Sequence, residues 1–141
     1  MKRALLILSV IYLSVIAIGC SKNYKSKKVI ENKSTHNIKV TLYGSPPNRV
    51  ERGTFLVASD KTQTIVDFNS TAGAIYGENS ACVRSDIDSI TVEVNGDENF
   101  IVVKDFMNDN SWIASKTSNS KGFAVECRAI ITDADIVPKS D

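Results

Sequence analysis

The chain has 141 residues, 43% of them hydrophobic and 23% charged, with 17 basic side chains against 16 acidic ones and a single histidine. That length supports one domain of ordinary size. The near-balance of charge excludes the basic stripe and high isoelectric point of a nucleic-acid binder, so no nucleic-acid partner is expected.

The N-terminus reads as a secretion signal. Lys2 and Arg3 give a positive start, and residues 4–18 form an apolar run interrupted only by Ser9, Tyr12 and Ser14. The run has the length of a secretory core and falls short of the roughly 20 apolar residues that a spanning helix needs. It ends on Ala17-Ile18-Gly19-Cys20. This segment resembles the lipobox of bacterial lipoproteins, although Ala17 stands where leucine is most often found. The resemblance implies cleavage before Cys20 and acylation of its thiol by palmitate-type chains. Two or three such chains hold a protein stably on a bilayer, each buried methylene contributing about 0.8 kcal/mol.

After Cys20 come Lys22, Lys25, Lys27 and Lys28 with no acid among them. One-signed and polar, this stretch reads as a flexible spacer, and eight extended residues reach about 28 Å. Contact of the lysines with anionic lipid, at about 1 kcal/mol each, is the second reading. Surface-exported lipoproteins of some phyla carry acids at this place, so the lysines point to a periplasm-facing protein on the cell membrane or outer membrane. The expected organisation is a helical signal peptide over 1–19, acylated Cys20 and linker over 20–28, one domain over 29–137 and a tail over 138–141.

The domain reads as all-β. Ile38, Val40 and Leu42 alternate with Lys39, Thr41 and Tyr43, the pattern of a half-buried strand. Phe55 and Val57 continue it, followed by Thr64, Val66 and Phe68 against Ile65 and Asp67, then Ile90, Val92 and Val94 against Thr91 and Glu93. The last run is the clearest: Phe123, Val125, Cys127, Ala129 and Ile131 share one face, and Glu126, Arg128 and Thr132 the other. Strands that alternate in this way bury one face and wet the other, as antiparallel sheets do. Residues 32–37 separate 29–31 from 38–43, which predicts a first hairpin ended by Pro46 and Pro47. Asn95-Gly96 tolerates the positive φ of a tight turn and predicts a second hairpin, 89–94 with 99–104. Residues 105–121 read as an irregular loop holding Met107, Trp112 and Ile113, with room for one helical turn. Seven or so short strands suggest an antiparallel β-sandwich, immunoglobulin-like in outline. A small barrel is the alternative.

Glu31-Asn32-Lys33-Ser34 before Ile38-Lys39-Val40, then Asp88-Ser89-Ile90-Thr91-Val92, then Ile131-Thr132-Asp133-Ala134-Asp135 resemble the small envelope lipoproteins of Bacteroidota. The resemblance covers most of the chain after Cys20. It implies an envelope β-domain and carries no activity with it.

With Cys20 taken by lipid, Cys82 and Cys127 remain as an even pair in a compartment that permits disulfides. A structural disulfide is expected, because Cys127 lies on an apolar face; two separate buried thiols are the alternative. Closing a loop of 45 residues contributes about 4 kcal/mol in the chain-entropy model.

Catalytic equipment is lacking in the sequence. His36 sits in a polar turn, and no Gly-x-Ser-x-Gly elbow accompanies it. Asp86, Asp88, Asp97 and Glu98, and the Asp105, Asn108, Asp109 and Asn110 cluster in the long loop, suit calcium chemically, yet none stands in a spaced Asp-x-Asp-x-Asp-Gly loop. Residues 70–79 hold two glycines without the spacing or lysine of a phosphate loop. No metal or other cofactor is expected. Trp112 is the candidate binding contact, since exposed tryptophan is enriched at hot spots; packing over one end of the sandwich is its other reading. The sequence therefore predicts a lipid-anchored, non-enzymatic envelope protein with a structural or binding β-domain and a protein partner of unknown kind. Its rivals are an envelope-acting enzyme or inhibitor using residues 105–121, and an immunity or adhesion module.

Overall fold

The computed structural model describes residues 23–44, 50–70, 82–83, 87–120 and 122–140. Residues 1–22 with Cys20, the Pro46-Pro47 pair, Asp86 and nearly all of 70–79 lie outside the described residues. Among the described residues nine strands follow in order: β1 (Asn23–Asn32), β2 (Ile38–Gly44), β3 (Glu51–Val57), β4 (Lys61–Ser70), β5 (Ile87–Val94), β6 (Phe100–Val102), β7 (Ile113–Asn119), β8 (Gly122–Ile131) and β9 (Ile136–Pro138). Single 3₁₀ turns occupy Asp109–Ser111 and Asp133–Asp135.

The strands form a four-stranded sheet in the order β4-β1-β8-β7, a three-stranded sheet β3-β2-β5 and a β6-β9 ribbon. The sheets pack in a sandwich-like arrangement. The alternation read from β2, β5 and β8 sets the facing sides. Ile38, Val40 and Leu42 stand opposite Val94, Val92 and Ile90 on one side, and Val125, Cys127, Ala129 and Ile131 are buried on the other. Between them lies one continuous core that also takes in Tyr24, Ile30, Val57 and Ile65.

Several expectations are overturned. Residues 23–28, expected as linker, are the start of β1, a strand paired on both sides, antiparallel to β4 and parallel to β8. Its inward residues Tyr24, Ser26, Lys28, Ile30 and Asn32 are all buried, so residues 23–28 belong to the domain. The β1–β8 pairing also makes the fold mixed rather than purely antiparallel. Neither predicted hairpin forms, because β1 and β2 belong to different sheets, as do β5 and β6. Residues 113–119, expected as loop, are strand β7, while the single helical turn is present at Asp109–Ser111. The tail is shorter than expected: Pro138 belongs to β9, and the Lys139 amide donates to the Asn99 carbonyl at 2.7 Å.

In β4, the buried residue is Ile65, with Val66 packed partly beside it and Phe68 more exposed. The cause is a β-bulge: Lys28 pairs with Val66 and Val29 with Thr64, leaving Ile65 as the extra residue. Bulges bend a strand and increase its twist, which here brings two neighbouring side chains to the core. At the other end of β1, Gly122 has φ +150° and its missing Cβ would run into the Asn23 carbonyl. Glycine is what lets the first rung of the parallel pair close.

The two sheets are clasped at the far end of β1 by a polar cluster. Asn32, fully buried, donates through Nδ2 to the carbonyls of His36 at 2.7 Å and Val57 at 3.1 Å. Its Oδ1 accepts from the Ser34 amide at 3.1 Å and the Ser34 hydroxyl at 2.7 Å. Ser59 donates to the Ser34 carbonyl, the Asn95 amide to the Asn37 carbonyl, and the Thr35 amide and hydroxyl to Asp133 Oδ1. A buried amide costs free energy unless its donors and acceptors are met; this one is met on both atoms.

Two predictions follow from the clasp. Asn32→Ala leaves the Val57 carbonyl of β3 and the Ser34 and His36 groups of the β1–β2 connection without their partner and should lower stability by about 3 kcal/mol, read as a drop in urea midpoint with an unchanged slope, whereas Ser118→Ala on exposed β7 should leave the midpoint nearly where it was. Acid should also loosen this end. Asp133 is held below its ordinary 3.8 by the Thr35 amide and hydroxyl. Burial pushes Asp135 up, but the Thr132 amide and hydroxyl and the Lys104 ammonium outweigh it and hold it below 3.8. Glu31 is held below 4.5 by Arg128 first and Lys33 second. All three are depressed carboxylates, so the stability they contribute is complete above their unfolded values and disappears as pH falls through the folded ones. Urea midpoints should therefore be flat near neutrality and fall below about pH 4, less steeply in Asp133→Asn.

Candidate functional site

Trp112 is not an exposed contact. It is buried at 6% exposure, and its indole N–H donates to the Phe106 carbonyl at 2.9 Å. Phe106 packs edge-on against it with ring centroids 6.2 Å apart, and the Lys28 ammonium lies 5.4 Å from the indole centroid on a cation–π line. The sequence had placed Lys28 in the solvated linker. In the fold it points inward on the rung that also holds Cys127.

Cys127 is bonded to Cys82, with Cα atoms 5.6 Å apart and both residues buried. The expected disulfide is thus present. Beside it the Val83 amide donates to Asp109 Oδ1 at 2.8 Å, and Asp109 opens the 3₁₀ turn that leads into Trp112. Disulfide, carboxylate, indole and ammonium form one brace between β8, β1 and the 105–112 connection. Trp112 and the cysteines act there as structure.

Of the acids considered for chemistry, Asp88 lies in β5, Asp97 and Glu98 in the β5–β6 connection, and Asp105 and Asp109 in the β6–β7 connection. Asp97 Oδ1 accepts from the Asn99 amide and side chain, Asp105 Oδ1 from the Met107 amide, and Asn108 Oδ1 from the Asn110 amide. These are local side-chain-to-backbone bonds of the kind that favour turns. Among the described residues no group of three or more His, Cys, Asp or Glu is placed to hold a metal ion. His36 lies at the polar clasp with its ring 5.1 Å from that of Phe100.

A groove of about 690 Å³ lies where β5 and β6 part. Its walls carry Val92, Glu93 and Val94 on one side and Phe100, Ile101 and Val102 on the other. A strand shows only alternate residues across a face but consecutive residues along an edge, so two strand edges border this groove. β5 closes its sheet, and β6 pairs only with β9 among the described residues. The rim carries a Lys39–Glu93 ion pair at 2.7 Å, which raises the Lys39 pKa, along with Asp97, Glu98 and Lys139. Sequence reading missed the groove because it closed β5 and β6 into a hairpin. The readable signal is the length of the connection: residues 95–99 are too many for a two-residue turn, and Gly96 at φ +82° serves a wider loop capped by Asp97.

The role of Trp112 is open to direct measurement, since it is the chain's one tryptophan. Its emission in the folded protein should be blue-shifted and poorly quenched by iodide, and Trp112→Ala should lower stability by about 3–5 kcal/mol. Comparison with known protein families, with curated proteins and with solved structures finds no match.

Proposed function

We propose that this chain is a bacterial envelope lipoprotein, anchored through acylated Cys20, whose β-domain is a non-enzymatic binding module for an extended polypeptide segment. The anchor reading is supported by the positive start, the apolar run and Ala17-Ile18-Gly19-Cys20. The Cys82–Cys127 disulfide fits the oxidising compartment outside the cytoplasm. A periplasm-facing position on the cell or outer membrane goes with it.

The observation that carries the binding reading is the groove between β5 and β6. Strand edges offer main-chain donors and acceptors, and an added strand gains affinity from them while side-chain pockets give specificity. Val92, Val94, Phe100 and Val102 supply partly or fully buried apolar surface, and Ile101 is exposed at 41%. An unprotected edge of this kind is an aggregation hazard unless blunted, and the charged rim of Glu93, Asp97 and Glu98 supplies the blunting.

A displayed octapeptide library selected against the folded domain tests the module. Binders should alternate apolar and polar residues, should slow amide exchange at Val92–Val94 and Phe100–Val102, and should weaken at least tenfold on N-methylation of alternate amides. Binders that protect other strands, that tolerate N-methylation, or that never emerge would overturn it. For the anchor, Cys20→Ala should leave a folded domain that no longer sediments with membranes after a high-salt wash.

A further inference from the structure

Resting on the anchor reading, we infer that the domain is seated directly on the bilayer, with the β1-start end of the four-stranded sheet against the lipid headgroups and the groove held at the opposite end. Only Ser21 and Lys22 separate Cys20 from the first residue of β1. Three Cα steps of 3.8 Å bound the distance at about 11 Å whatever their conformation. A tether of 28 Å is therefore not available.

The strand cannot be drawn out to lengthen it. Tyr24 is fully buried, packs on Phe123 with ring centroids 4.9 Å apart and lies 6.2 Å from Phe68. Asn23 pairs with Gly122 and Tyr24 with Ser70. Peeling β1 back would open the core.

The end presented by this geometry suits phosphate headgroups. Its outermost rungs carry Asn23, Lys25, Asn69, Ser70, Thr117, Asn119 and Ala124, without an acid. Along the strands of this sheet the first carboxylates are Asp67 and Glu126, both on the rung of Lys27, four residues or about 13 Å up β1. Glu126 faces Lys27 at 3.9 Å and Arg128 at 2.9 Å. On the described rungs of this sheet positive and neutral groups thus come first, which is the order an anionic surface favours.

β1 extends about 30 Å over its ten residues. Its far end holds Asn32 and the polar clasp, and there the Asn95 amide meets the Asn37 carbonyl while Ile38 pairs with Val94. The groove opens beside that clasp. Seating the sheet by its β1-start end therefore aims the groove away from the membrane.

The test uses the full acylated protein in vesicles of phosphatidylethanolamine and phosphatidylglycerol with spin-labelled headgroups. A dye is attached through a non-cysteine handle at Ser118, near the β1 start, or at Lys61, which pairs with Asn32 at the far end. Quenching should be several-fold greater at Ser118 than at Lys61. A Gly-Ser spacer of roughly a dozen residues before Asn23, about 20 Å as a coil, should reduce the Ser118 signal. Equal quenching at the two positions in protein whose mass shows acyl chains on Cys20 overturns the seating and leaves the anchor standing. A Cys20 without acyl mass overturns both.

Discussion

The structure depends on β1 lying between β4 and β8. Every rung from Asn23 to Asn32 is paired with residues 122–131 on one side, so the first strand of the domain is fixed by its last long one. Among the described residues β7 pairs only with β8, and β4 joins the sheet only through β1. Remove β1, and the four-stranded layer falls into a hairpin and a lone strand. Pairings this distant in sequence carry a loop-closure cost, so β1 is held by contacts that local structure alone does not supply.

The polar inward face of β1 gives that placement its register. A slip of one residue exchanges the two faces of a strand. Here it would carry Asn32 out of the clasp and Lys28 away from Trp112, and would bring the charged side chains of Lys27 and Glu31 toward the core. Each inward polar group has a defined seat: Asn32 among the carbonyls of His36 and Val57, Lys28 over the indole. Buried polar groups add little net stability when satisfied and cost much when misplaced. Their contribution here is to exclude the wrong pairings. The disulfide works on the same rung, tying Cys127 to Cys82 and, through Val83 and Asp109, to the turn that delivers Trp112.

What could be read from the residues followed apolar alternation. β2, β5 and β8 announce themselves because Ile38-Val40-Leu42, Ile90-Val92-Val94 and Val125-Cys127-Ala129-Ile131 bury one face each. β1 was hidden because its inward set includes Ser26, Lys28 and Asn32, and its outward set Lys25 and Lys27. β7 was hidden for a different reason. All seven of its residues are exposed, and it is a strand only because β8 offers it an edge, so no burial pattern exists to be read. Sheet membership failed in the same manner: Asn95-Gly96 correctly marked a turn, but turn chemistry alone does not say whether the flanking strands pair. The cysteine pair was legible from parity and face, while Trp112 resolved toward packing once Phe106 and Lys28 surrounded it. The groove could not be seen from sequence, since it is made by two strands that lie near each other without pairing.

The strand that organises the sheet is also the one nearest the proposed anchor, and this has a mechanical consequence. On the proposed attachment, any load between membrane and partner enters the domain at Asn23 and runs along β1. Its hydrogen bonds to β4 and β8 lie across that direction, so the load is shared among many rungs in shear instead of opening them singly. An edge strand such as β7, bonded on one side only, would share the same pull over half as many bonds. The bulge at Lys28/Val29 and the clasp at Asn32 add resistance to sliding, because either would have to be undone before β1 could move by one residue. On the proposed attachment, a lysine-bearing strand in the middle of a small sheet thus places a strand bonded on both sides where the load would enter the domain.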